Sequence, residues 1–183
     1  MNTSPYSPPQ AEVGDVPGEI SHGISRSELA AFAGDSKYPE LWLKHLEGQS
    51  RFAGFNGWAT AFGVQWFFFR KLYVQGVISL ILEAGFPILF TAIAIALIGK
   101  EHKVIADNSF FPAAIAVRFG IGYWANLALC NKAVSAIRRI DEMNLDNDAH
   151  LRKIASAGGV SVPSLLAVYA ALGFLRFAPV LFA

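Results

Sequence analysis

The sequence is poor in nearly everything that would announce a reaction. It has a single cysteine, Cys130, so no internal disulfide can form. That residue closes an apolar run and reads as a small buried side chain rather than a nucleophile. There is no surplus of charge either. A net charge of +1 over 183 residues leaves no concentrated basic surface of the kind nucleic acid requires. Residues 1–23 hold neither an apolar core nor an early positive charge, and read as a disordered, Pro- and Gly-punctuated tail without a secretory signal. His22, His45, His102 and His150 are scattered, with no partner at metal-ligand spacing, and no nucleophile elbow, phosphate loop or zincin pattern occurs. The segment DNDAH, Asp146 to His150, lacks the glycine and final glutamate of a calcium loop and reads as a solvated turn. The expectation is a protein that is not an enzyme, with no catalytic residue, cofactor or metal.

Apolar residues are what the chain has in abundance. They make up 54% of it against 16% charged, and the mean hydropathy is +0.39. That mixture belongs to a membrane protein more than to a soluble one. Three runs carry it, at about 76–98, 109–130 and 159–182, each with one charge. At about 1.5 Å of rise per residue, each is long enough to cross a hydrocarbon core about 30 Å thick. A soluble bundle would need polar faces that three such runs do not leave.

Residues 24–50 read as two short amphipathic helices. Ser25 with Glu28 three residues on is a capping-box spacing, and Gly34 closes that helix. Pro39 suits the first turn of the second, in which Leu41, Trp42, His45, Leu46 and Gln49 share one face. The rest, 51–183, reads as the integral membrane domain.

Its first part, FNGWATAFGVQWFFFRKLY, is dense in aromatic residues and ends at a basic pair. Phe55, Trp58, Phe62, Trp66, Phe69 and Tyr73 recur at spacings of three and four, so one helix would carry all six as a single stripe, and the aromatic helix is expected at 52–71. From Phe52 to Phe69 such a helix reaches only about 27 Å, which is marginal for a span. Rings favour the headgroup region, so the segment reads as an interfacial or re-entrant helix, with a fourth span as the alternative. Arg70, Lys71 and the basic residues of 131–157 place those segments in the cytoplasm by the positive-inside rule, with the loop holding Lys100 and Lys103 outside. Val134, Ile137, Ile140 and Met143 keep helical spacing, so the second span continues into the cytoplasm as an amphipathic helix. A further helical turn or two, at DAHLRKIASAGG, stops at Gly158 and Gly159.

Each long run holds one ionisable group: Glu83, Arg118 and Arg176. Gly76, Ser79 and Pro87 share a face with Glu83, and Gly122, Ala125 and Asn126 share one with Arg118. Small and polar neighbours mark faces turned toward protein. Glu83, Arg118 and Asn126 therefore form a candidate intramembrane polar cluster. Two readings are open: a structural Glu83–Arg118 clasp, which is preferred, or part of an ion, proton or solute site.

The aromatic segment resembles the signature of an uncharacterised bacterial family of integral membrane proteins, domain of unknown function 2628. Phe55, Asn56, Trp58, Ala59, Phe62, Gly63, Trp66, Arg70, Lys71 and Tyr73 carry the resemblance, with GGVS at Gly158 to Ser161 as a weaker match. Val64 stands where the family has proline, which favours a straight helix over a sharp turn at Gly63. The resemblance implies a membrane location and a few-helix architecture, and no activity. The expected fold is an all-α membrane protein of about three transmembrane helices, an aromatic interfacial or re-entrant helix and short cytoplasmic amphipathic helices. The expected role is an accessory, scaffold or assembly subunit in a bacterial inner membrane, in contact with the lipid bilayer and with a membrane-protein partner or further copies of itself. A small transporter or channel protomer using Glu83 and Arg118 is the alternative.

Overall fold

The computed structural model describes residues 20–21, 23–34, 37–99 and 103–181, with backbone alone at 20–21, 98, 103–110 and 175–181. Nearly all of the expected tail, His22, Lys100 and His102, and the side chains of Lys103 and Arg176, lie outside the described residues. A two-residue antiparallel pair, β1 (Ile20–Ser21) with β2 (Ile24–Ser25), leads into α1 (Arg26–Ala33) and α2 (Lys37–Leu46). Then follow α3 (Gly57–Phe62), α4 (Val64–Phe69), α5 (Tyr73–Ile98), α6 (Lys103–Asp141), α7 (Asn147–Gly158) and α8 (Val162–Leu181). Three segments are long and apolar enough to cross a membrane: Tyr73–Leu97, Phe111–Asp141 and Asn147–Phe174.

The local signals explain most boundaries. The Ser25 side chain accepts from the Glu28 N–H while Glu28 accepts from the Ser25 N–H, and Gly34 ends α1 at φ 67°. The amphipathic pattern after Cys130 continues the second apolar run without a break, giving a single helix of 39 residues. In α2 the buried face differs from the expected one. Pro39, Trp42 and Leu43 are buried and Leu41 is exposed, because α2 turns Trp42 into the core beneath α1.

That core sits at one end of the molecule, where the C-terminal half of α6 meets α1, α2, α4 and α7. Phe32, Trp42, Phe67, Leu129, Ile137 and Ile154 fill it. Gly158 lets α7 lie directly against α1: a Cβ there would fall on the Phe32 carbonyl. One turn later Ser161 donates its N–H to the Phe69 carbonyl at 2.8 Å and accepts from the Ser164 N–H at 3.3 Å, starting α8. The Gly-Gly-Val-Ser segment is thus a close-packing site followed by a helix cap. Around this core, α5 and α8 leave most of their apolar side chains exposed, as lipid-facing helices would.

The aromatic segment is not the single helix that its stripe suggests. It breaks at Gly63, whose φ of 52° and ψ of −126° suit only glycine, and α3 and α4 form a tight hairpin. The sharp turn that Val64 spoke against therefore forms, with the Val64 N–H taken up by Glu83 from another helix.

Candidate functional site

The hairpin is held at its entry, its tip and its exit, each time by polar groups from the long helices. At the entry Asn56 caps α3, its Oδ1 accepting from the Ala59 N–H at 2.9 Å. Its Nδ2 donates to Asn126 Oδ1 and to the Tyr38 hydroxyl, both at 3.2 Å, and Asn126 Nδ2 donates to the Ala53 carbonyl at 3.0 Å. Both asparagines are buried, at 3% and 0% exposure, so the network is closed off from bulk water and its polar groups depend on one another. Gly122 permits the close approach. The Asn56 N–H donates to its carbonyl at 3.0 Å, and a Cβ on it would strike the Thr60 hydroxyl and the Phe55 ring.

At the tip a break inside a helical segment strands a carbonyl on one side and an N–H on the other. The Val64 N–H donates to Glu83 Oε1 at 2.9 Å, and the Ala61 carbonyl accepts from Arg118 Nη1 at 2.9 Å. Glu83 Oε2 and Arg118 Nη2 then pair at 2.7 Å, and the Ser79 hydroxyl donates to Glu83 Oε1 at 2.7 Å. The negative group therefore meets the N-terminal end of α4 and the positive group the C-terminal end of α3, as the helix dipoles require. A Cβ at Gly63 would overlap the Glu83 carboxylate.

At the exit Lys132 Nζ donates to the carbonyls of Arg70 and Lys71 at 3.0 and 3.2 Å. Arg70 reaches the Ala33 carbonyl at the end of α1 at 3.4 Å, and Lys71 the Ser156 carbonyl of α7 at 3.3 Å. These contacts give the hairpin its depth. From Arg118 to Lys132 α6 rises about 21 Å, and from Tyr73 to Glu83 α5 rises about 15 Å. The segment thus dips about halfway along the long helices and returns to the end it came from.

The candidate residues separate accordingly. Glu83 and Arg118 are brought together, whereas Asn126 lies about 12 Å further along α6 and joins Asn56 instead, so the expected three-residue cluster is two clusters. Phe55 packs on Phe119 and Tyr123, with centroids at 6.0 and 5.0 Å, and Trp58 stacks on Phe62 at 5.8 Å. Trp66 is buried, while Phe55, Trp58, Phe62 and Tyr73 are exposed. Tyr73 bonds Ser164 of α8 at 3.1 Å. Trp58, Phe62, Trp66, Arg70, Tyr38 and Tyr169 help to line a groove of about 720 Å³ between α1, the hairpin and α8. Sequence reasoning missed Tyr38 and Lys132, which have no local signal, and it missed the meeting of His150 with Glu28 and Asp141 at the far end of α6.

No curated protein and no solved structure matches the chain. A family match covers residues 35–134, which take in α2, the hairpin, α5 and α6 as far as Val134. That stretch contains the entry, tip and exit residues described above, apart from Ala33 and the contacts with α7 and α8. Matched over more than half its length, the chain belongs to the family described as "Protein of unknown function (DUF2628)".

Proposed function

We propose that this protein is a non-enzymatic, three-span subunit of a bacterial inner membrane, an accessory or assembly factor for a larger membrane complex. Its aromatic hairpin enters the membrane and returns on the cytoplasmic side, and α1, α2 and α7 form a cytoplasmic head. One observation carries the reading. Glu83 and Arg118, the charges that a transport pathway would use, are engaged with each other and with the two backbone groups freed at Gly63. Groups so engaged rigidify a scaffold and are poorly placed to bind and release an ion. The same observation counts against the transporter alternative. The bacterial location rests on the family resemblance, and the cytoplasmic head on the basic residues Arg70, Lys71, Lys132, Arg138 and Arg139.

Purification from native membranes in mild detergent at endogenous expression tests this role. A stoichiometric companion protein, retained through size-exclusion chromatography, is the expected result. A bare homo-oligomer that carries ion flux in liposomes, with the flux abolished by Glu83→Gln, would overturn it.

A further inference from the structure

Far from the hairpin, three ligand-bearing side chains converge from three elements: Glu28 in the first turn of α1, Asp141 at the last residue of α6 and His150 in the first turns of α7. His150 Nε2 lies 3.0 Å from Asp141 Oδ1 and 3.6 Å from Glu28 Oε1, and the three ligand atoms fall within 4.8 Å of one another. We propose that they bind a first-row divalent transition-metal ion, with Zn²⁺ the best fit.

The spacing is the first argument. Zn–N and Zn–O bonds of about 2.0–2.2 Å at tetrahedral angles separate neighbouring ligand atoms by about 3.4 Å. The two separations from His150 fall on either side of that value, and the carboxylate oxygens of Glu28 and Asp141 lie within 4.8 Å of each other, so the three atoms close on an ion by drawing the two carboxylates together. The second argument is independent of spacing. His150 Nε2 is buried and makes no hydrogen bond among the described residues; its polar neighbours are the carboxylate oxygens of Asp141 and Glu28. A buried nitrogen that faces two carboxylate oxygens without a hydrogen bond to either is a setting that a bound cation completes.

The surroundings suit a metal as well. The other carboxylate oxygen of Glu28 accepts from the Ser25 N–H and hydroxyl at 2.7 and 2.8 Å, which fixes the carboxyl group and leaves Oε1 free to coordinate. Asp141 is 42% exposed, which gives the ion an entry path and a water molecule access to the fourth position. Nitrogen among the ligands disfavours Ca²⁺ and Mg²⁺, which take oxygen. A bound ion would tie α1 and α7 to the end of α6 and so lock the head together. This site is independent of the hairpin and of the role assigned to the protein.

The test uses the full chain, purified in mild detergent with any affinity tag removed and stripped with a chelator. Calorimetric titration with ZnCl₂ is expected to show one equivalent bound. His150→Gln and Asp141→Asn should each weaken binding on the order of tenfold or more. CoCl₂ should give the visible absorption of a tetrahedral site in the wild-type protein, a reading that stands even if a variant misfolds. Absence of stoichiometric uptake would overturn the proposal and leave His150 as an ordinary ion-pair partner of the two carboxylates. Uptake unchanged in both folded variants would overturn it too, by placing the ion elsewhere.

Discussion

The Val64 N–H donates to Glu83 Oε1 at 2.9 Å across 19 residues of sequence. Through that bond a carboxylate on one long helix caps a helix start in the aromatic segment, while Arg118 from another long helix caps the helix end just before it. The pair is ordered in space. Each charge faces the backbone group of complementary polarity, so more than mutual attraction holds it.

That order predicts an asymmetric mutational result. Glu83→Ala and Arg118→Ala should each lower stability by about 2 kcal/mol, since each leaves a partner and a backbone group unsatisfied. The exchanged double variant, Glu83→Arg with Arg118→Glu, should not restore it, because the Val64 N–H would then face a cation. Unfolding in mixed micelles measures all three. Full recovery in the exchanged variant would show that the charges serve only each other.

Gly63→Ala should be at least as costly as removing the carboxylate. The new methyl group meets Glu83 while the backbone is forced to a positive φ, and strain of this kind costs about 1–3 kcal/mol before the clash is counted. The same unfolding experiment checks it. A neutral Gly63→Ala would mean that α3 and α4 join into one straight helix.

Asn126→Ala strands the Ala53 carbonyl and the Asn56 side chain in a buried site, and should cost about 1–3 kcal/mol. Its effect should be additive with that of Glu83→Ala, because the two networks sit apart on the long helices. Strong coupling between them in a double-mutant cycle would contradict that separation.

Of the rings, Trp66 and Phe62 should respond differently. Trp66 is 6% exposed and Phe62 45%. Trp66→Ser should therefore lower stability by about 3–5 kcal/mol, as large core truncations do. Phe62→Ser should change stability by well under half that and act on membrane seating instead. Equal losses in detergent would show that the hairpin turns both rings into protein.

A hairpin that returns to its own side also predicts topology. In a Cys130→Ala background, cysteine placed at Gln49 in the N-terminal head and at Arg138 should behave alike toward an impermeant thiol reagent on intact cells. Both should be protected and both should react once the membrane is opened. Labelling of Gln49→Cys alone would make the aromatic segment a fourth span.

The features legible in the sequence are those that a few neighbouring residues decide. Ser25 and Glu28 close a capping box within one turn, and apolar runs of spanning length need only their own composition. The unbroken apolar and then amphipathic pattern that follows Pro112 gives one long helix to Asp141, with no further proline to remove a backbone bond. Glu83 and Arg118 could even be paired from afar, since opposite charges in apolar helices have few other partners. What the tertiary structure decided depends on groups far apart in the chain. Spacing alone favours one helix through Gly63; a carboxylate from α5 and a guanidinium from α6 make the break affordable by satisfying the groups it frees. Asn126 looks like a neighbour of Arg118 along the sequence, yet the depth at which α3 begins assigns it to Asn56. His150 reads as isolated until α1 and α7 fold onto the end of α6. Local periodicity carries no information about which distant polar group will reach a given backbone atom, and that reach sets the shape of the hairpin and of the head.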